Sequence, residues 1–279
     1  MSLQDCPLSL GLSPCPNDTF IFHALLHGLV PVPAPLQPHF ADVEELNAMA
    51  CRNSLDVTKI SLGALPYFMQ GYALLSSGAA LGWGCGPLVV AREPLPETAW
   101  RHGSVAVPGR MTTANLLLDL HGGFHGPRTE MLFSDVMEAV RSGRADMGVI
   151  IHEGRFTYEQ AGLTRLLDLG QWWEESFHMP LPLGAIAVRR NLPAATARAM
   201  QQAIADSLRY ARAHPDASAA FVRLHAQEMS ETVTRAHIET FVTDYSLDLG
   251  ESGRSAVRLL AERAAALAGR TVPHDLFVA

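Results

Sequence analysis

Through its N-terminal half the chain alternates short apolar runs with segments of helical periodicity, the pattern of an α/β protein. Leu8–Leu12 reads as the first strand. Asn17-Asp18 then offers an N-cap to a helix over Thr19–His27, which stops at Gly28. A Pro-rich turn over Pro31–Pro38 leads to a strand around His39–Ala41, and Asp42 caps a helix over Val43–Cys51. Leu55–Ile60 reads as a strand, Leu62–Met69 as a short helix and Tyr72–Ser76 as a further strand.

From Ile60 to Ala91 there is no Asp, Glu, Lys or Arg, a stretch long enough to span a bilayer at about 20 residues per helix. Pro66, Pro87 and glycines 63, 71, 78, 82, 84 and 86 break it into short pieces, so it reads as buried core. Two later segments resemble each other: Gly86–Arg92 and Gly184–Arg189 are both apolar strands closing on Arg. Between them lies a second α/β unit, with strands at Ser104–Val107, Met147–Ile151 and Leu166–Leu169 and helices at Thr113–Leu120 and Phe133–Ser142. After Asn191 the chain is helical in period, over Ala194–Ala213, Pro215–His225, Thr232–Thr243 and Ser252–Ala268. The matched strands read as paired crossings between two lobes. Residues 1–90 with 188–279 would form lobe one and 91–187 lobe two, with a ligand cleft between them.

Composition removes several classes. With 48% apolar and 18% charged residues the chain is globular, and a net charge of −7 without any basic run excludes a non-specific nucleic-acid binder. Cys6, Cys15, Cys51 and Cys85 form no C-x-x-C pair and no zinc-ligand spacing, as in a reduced cytoplasmic protein. Met1–Pro7 shows no basic or long apolar region and reads as a start without a signal peptide. Of the 21 basic residues only Lys59 is a lysine.

Three strand-to-helix junctions share one chemistry. Ser13-Pro-Cys-Pro-Asn17-Asp-Thr19, Thr58-Lys59-Ile60-Ser61 and Pro108-Gly-Arg110-Met-Thr112-Thr113-Ala114 each join hydroxyls to the free N–H groups of a helix start. Such a start holds an anion, although Ser and Thr also serve as plain N-caps. In an acidic chain an anionic ligand needs local attraction, from these amides and from Lys59 or Arg110. Lys59 places a compact ammonium where a guanidinium does not substitute, or is a retained surface lysine. His152 follows the buried strand at Met147–Ile151, where α/β folds place ligands, with Glu153 and Arg155 near enough to tune it. It reads as a general base or as a structural strand-end histidine. Gly82-x-Gly84-x-Gly86 runs into Pro87 and a strand, which excludes a dinucleotide loop. His121 and His125 lack a third ligand, and Trp172-Trp173 reads as core.

Ser13-Pro-Cys-Pro-Asn-Asp-Thr-Phe20 and Ile150-Ile-His-Glu-Gly-Arg-Phe-Thr-Tyr158 resemble the 1,4-dihydroxy-6-naphthoate synthase family of the futalosine route to menaquinone. Thr58–Ser61, Gly84–Arg92, Pro108-Gly109, Thr112–Ala114, Pro180–Ala185 and Tyr245–Glu251 extend the likeness over nearly the whole chain, with Trp83 and Met111 as departures. The resemblance implies a two-lobed, periplasmic-binding-protein-like type II α/β fold with two crossing hinge strands. It implies a cytoplasmic carbon–carbon lyase acting on cyclic dehypoxanthine futalosine, with no metal or organic cofactor and no nucleic-acid or membrane partner. The proton-abstracting histidine falls on His152, and the ligand-contacting segments fall on Lys59, Ile60 and Ser61 and on Thr113 and Ala114, beside Thr112. Ser13 and Asn17 join them as binding residues from the first junction. The rivals are a chorismate dehydratase of the same pathway and a non-catalytic small-carboxylate binder. A regulatory effector domain would need a basic DNA-reading helix, which is absent.

Overall fold

The computed structural model describes residues 6–226 and 230–279; the chain start read at Met1–Asp5 lies outside them. β1 (Leu8–Leu12), β2 (Leu36–Phe40), β3 (Val57–Ser61), β4 (Tyr72–Leu74), β5 (Ala80–Gly82) and the late β11 (Leu181–Arg189) build the first sheet. Its order is β2-β1-β3-β11-β4, with β5 also paired to β11. β1 runs parallel to β2 and β3, and β11 runs antiparallel to its three partners. α1 (Pro16–Leu26) and α2 (Val43–Cys51) follow β1 and β2, and a 3-10 turn at Leu62–Ala64 with the short α3 (Leu65–Phe68) follows β3.

The second sheet holds β6 (Leu88–Ala91), β7 (Val105–Val107), β8 (Arg128–Glu130), β9 (Met147–Ile150) and β10 (Thr164–Asp168), in the order β10-β6-β9-β7-β8. Its helices are α4 (Glu97–Trp100), α5 (Thr113–His121), α6 (Phe133–Arg141), α7 (Gly154–Thr157) and α8 (Leu169–Phe177). α9 (Ala194–Ala213), α10 (Ala219–His225), α11 (Glu231–Phe241), α12 (Asp244–Leu247) and α13 (Gly250–Leu267) complete the chain. Among the described residues no helix is long and apolar enough to cross a membrane. The charge-free run reads correctly: Ile60, Leu62, Leu65, Tyr72, Leu74, Leu81 and Val89 are buried in one core cluster that continues into both sheets.

Two expectations change. β6 pairs only within the second sheet and β11 only within the first, so these two strands are not the paired crossings. The expected divisions at 90/91 and 187/188 accordingly fall inside β6 and β11. β11 pairs instead with β5, Leu181 opposite Gly82, at the place where the chain passes between the sheets. The resemblance between β6 and β11 reflects burial in a sheet, and β5 is too short to show a period. The second change is at α1, which begins at Pro16. Proline's fixed φ suits the first helical position, so Cys15 is the N-cap, without a side-chain cap bond. Asn17 and Asp18 therefore sit inside the first turn of a helix that is buried almost all round, where polar side chains must find partners.

Where the chain passes from β5 to β6, Gly86 packs on Gly170 at the start of α8. A Cβ on Gly86 would lie 2.2 Å from the Gly170 Cα, and one on Gly170 2.6 Å from the Gly86 Cα. Leu169 N–H donates to Pro87 O beside them, 3.0 Å. Gly86→Ala is expected to push these backbones apart at a cost of about 3 kcal/mol, the upper end of the usual overpacking range, because the obstacle is main chain. A thermal melt reads the result; an unshifted midpoint would show that the segments slide freely.

Candidate active site

The three junctions converge. One cavity of about 710 Å³, counted to its open mouth, is lined by Ser13, Asn17, Lys59, Ile60, Ser61, Thr112, Thr113, Ala114 and His152, and by Asp18, Cys85, Arg155 and Phe241 among others. Ser13 and Asn17 come from the β1–α1 junction, Lys59–Ser61 from the end of β3, Thr112–Ala114 from the start of α5 and His152 from the end of β9. Arg110 is exposed and does not line the cavity, so it is not the local cation anticipated above. Trp83 is also exposed, and Trp173 is core, its indole N–H donating to Pro180 O at 3.2 Å.

Lys59 is 5% exposed, and its Nζ stands 2.6 Å from Oδ1 of Asp18, which is fully buried. A buried ion pair persists only when hydrogen bonds satisfy it further. Asn17 Nδ2 donates to Asp18 Oδ1 at 2.9 Å, and Ser13 N–H donates to Oδ2 at 3.3 Å. An ammonium has three donors, and Asp18 takes one of them, so the pair holds the lysine without exhausting it. Asp18 was missed in the sequence reading. Its signal was a carboxylate within an apolar helix, in the same chain as a single lysine.

The start of α5 divides its labour. Thr112 is the N-cap; its Oγ1 accepts from Asn115 N–H at 3.2 Å and donates to Gly109 O at 2.9 Å. Thr113 Oγ1 donates to Leu183 O (2.6 Å) and accepts from Gly63 N–H (3.1 Å), tying the second lobe to β11 and to the turn after β3. That hydroxyl is therefore structural, and what this junction offers a ligand is the first-turn N–H groups of Thr113 and Ala114, which have no acceptor inside the helix. Ser61 N–H is occupied by Asn47 Oδ1 at 2.8 Å, and Ser13 Oγ by Cys15 N–H at 3.1 Å. At the cleft rim α2 also reaches the second lobe: Glu44 accepts from Met111 N–H at 2.9 Å.

His152 has φ +53°, a left-handed conformation that few non-glycine residues adopt and that tends to mark functional sites. Phe133 meets its ring edge-on, centroids 4.9 Å apart, and Cys15 Sγ lies 4.0 Å from Nε2. Burial, and then the Lys59 charge, push its pKa down to about 4, so the imidazole is neutral at neutral pH. Burial, with Glu153 and Asp18 nearby, raises the Cys15 thiol above its ordinary value and keeps it protonated. Arg155 does not tune the histidine: its guanidinium donates to Gly86 O (2.6 Å) and pairs with Asp168 (2.8 Å). Glu153 faces His237, whose Nδ1 is 3.8 Å from Oε2. His237 is fully buried and stacks parallel to His152, centroids 5.9 Å apart at 8°. Amphipathic α11 carries no sequence signal for this role.

Two α/β lobes around a cleft of helix starts, a buried lysine and a neutral histidine define a periplasmic-binding-protein-like ligand-binding fold. The alkanesulfonate-binding protein SsuA of Xanthomonas axonopodis pv. citri shares that architecture, with a TM-score of 0.70 at 12% identity over 99% of this chain and 98% of its own. The crystal structure of protein AF1704 from Archaeoglobus fulgidus is nearer, with a TM-score of 0.88 and 33% identity over 94% of this chain and 98% of that one. The family model described as menaquinone biosynthesis matches residues 8–266. The 1,4-dihydroxy-6-naphthoate synthases of Thermus thermophilus and Streptomyces coelicolor are 48% and 46% identical, covering 97% and 93% of this chain and 99% and 93% of theirs. The chain belongs to the 1,4-dihydroxy-6-naphthoate synthase family of menaquinone biosynthesis.

Proposed function

We propose that the protein is a carbon–carbon lyase that converts cyclic dehypoxanthine futalosine to 1,4-dihydroxy-6-naphthoate and a dihydroxyacetone-type fragment, with His152 as the general base. The observation that carries this reading is the meeting of His152 with Lys59 and the α5 N-terminus in one cavity, although they are separated by up to 93 residues of chain. The substrate carboxylate sits against the Thr113 and Ala114 N–H groups and the Lys59 ammonium. His152 removes a proton from the bound ring system, ring opening and carbon–carbon cleavage follow, and the proton returns to the departing fragment. Aromatisation of the naphthalene supplies the thermodynamic pull. General-base catalysis contributes about 10²–10⁴-fold, and the remainder comes from orientation and from donors aimed at developing oxyanions.

Sulfonate binders share the fold, which keeps a binding-only role as the competing reading, beside the chorismate dehydratase of the same pathway. Incubating the purified protein separately with cyclic dehypoxanthine futalosine and with chorismate, and following product by mass spectrometry, separates the three. Release of dihydroxynaphthoate is expected from the first and no change in the second. Saturable binding without product would leave a receptor, and dehydration of chorismate would move the chain to the sister activity.

A further inference from the structure

Hydrogen bonds lead from the buried lysine pair through Asn17 to a ring that stacks on His152, and that ring belongs to a distant helix. We propose that His237 is a positioning residue for the reaction: by one donated hydrogen bond it sets the Asn17 amide, and through it the Asp18–Lys59 pair, while its ring backs His152. The kinetic part of this inference rests on the lyase reading above.

The donor pattern follows from the pair outward. Asp18 is ionised against Lys59 at 2.6 Å, and a carboxylate only accepts. The Asn17 atom 2.9 Å from Asp18 Oδ1 is therefore the amide nitrogen, which turns the Asn17 carbonyl oxygen toward His237 Nε2 at 3.1 Å. That oxygen also only accepts, so His237 Nε2 carries the proton. Burial, His152 and Lys59 all hold the pKa of His237 well below its ordinary value, so the ring is neutral and Nδ1 is its bare nitrogen, facing Glu153 at 3.8 Å. No other tautomer satisfies Asn17 and Asp18 together.

Three contacts meet at this ring. Asn17 is 5% exposed and lines the cavity, and an amide flip there would set its oxygen against the Asp18 carboxylate and cost that carboxylate one of its donors. The parallel stack at 5.9 Å gives His152 one ring neighbour, and the Phe133 edge at 4.9 Å a second. Glu153, adjacent in sequence to His152, places its Oε2 3.8 Å from the bare Nδ1 of His237. His237 touches none of the reacting atoms; it acts through Asn17 and through the seat of His152.

The donor can be separated from the ring. Gln places an amide N–H near the position of the histidine Nε2 and cannot titrate, whereas Leu fills similar volume with no donor. His237→Gln is expected to keep kcat within about fivefold of the parent, and His237→Leu to lower it by about 30-fold with KM changed less than threefold, the loss expected for one misplaced group. Equal losses in the two variants would overturn the donor role, and so would full activity in His237→Leu. Imidazole ¹⁵N shifts of the full-length protein, with no substrate present, test the same assignment. The Nε2–H tautomer is expected for His237, and an Nδ1–H tautomer would overturn the proposal even if His237→Leu failed to fold. A parent protein inactive on cyclic dehypoxanthine futalosine would refute the lyase reading while leaving the tautomer result to decide the hydrogen bond.

Discussion

His152→Ala is expected to lower kcat by about 10³-fold while substrate affinity changes by less than about threefold. A positioned general base contributes about 10²–10⁴-fold, and the carboxylate-holding groups at Lys59 and α5 belong to other elements. Alanine inherits the same left-handed backbone, at φ +53°, as the histidine it replaces. His152→Asn is the companion variant, because Asn tolerates that conformation better and has no proton-accepting nitrogen. Single-turnover rates and equilibrium binding measured on both variants separate chemistry from affinity. Retention of turnover in either would remove the base from His152. The pH dependence carries a sign. In the proposed mechanism the reacting form is neutral imidazole, and its pKa is depressed to about 4, so kcat/KM should stay level across the neutral range and fall tenfold per unit only below about pH 4. An acid limb near the ordinary histidine value would mean that water reaches the ring in the working enzyme. A nitrogen of such low basicity cannot remove a proton from an ordinary carbon. The proposed mechanism therefore needs the substrate acidified by stabilisation of the negative charge as it forms.

What the sequence revealed and what it concealed divide along a physical line. Leu8–Leu12, Val43–Cys51 behind Asp42, and Ala194–Ala213 have the bounds their periodicity implies, because local pattern, capping and burial agree there. The three hydroxyl-bearing junctions were legible for the same reason: a hydroxyl-rich strand-to-helix turn is a local object. The crossings were not, because a pairing such as Leu181 with Gly82 is made by residues about a hundred positions apart, and apolar composition marks burial without naming the sheet. Contact between Asn17 and His237 spans 220 positions and left no trace on either helix. Lys59 lies between these cases. Its isolation among arginines was visible, but its burial and its partner were not; of the two readings they remove the retained surface lysine and leave a buried ammonium paired with Asp18.

That pair yields the second large effect, in which stability and binding are expected to part company. Lys59→Met leaves the Asp18 carboxylate buried and unpaired, and breaking such a pair costs about 3–5 kcal/mol. The melting midpoint should fall by about 10 °C, at about 2–4 °C per kcal/mol for a chain of this class. Adding Asp18→Asn removes the stranded charge, so the double variant Lys59→Met/Asp18→Asn should regain most of the midpoint. It should not regain the ligand. If the ammonium meets the substrate carboxylate, affinity in the double variant stays about 10–100-fold below the parent, the value of one desolvated charge-assisted contact. Recovery of affinity together with stability would confine Lys59 to the scaffold. Lys59→Arg sharpens the distinction, because the Lys59 Cε packs against Gly184, where a Cβ would come within 3.2 Å of it. A wider guanidinium keeps the charge but lacks the room, so it should fail in binding and in melting alike. The chain's single lysine thus sits beside β11 where Gly184 passes close to its Cε, and the Arg variant tests whether that closeness is why no guanidinium stands there.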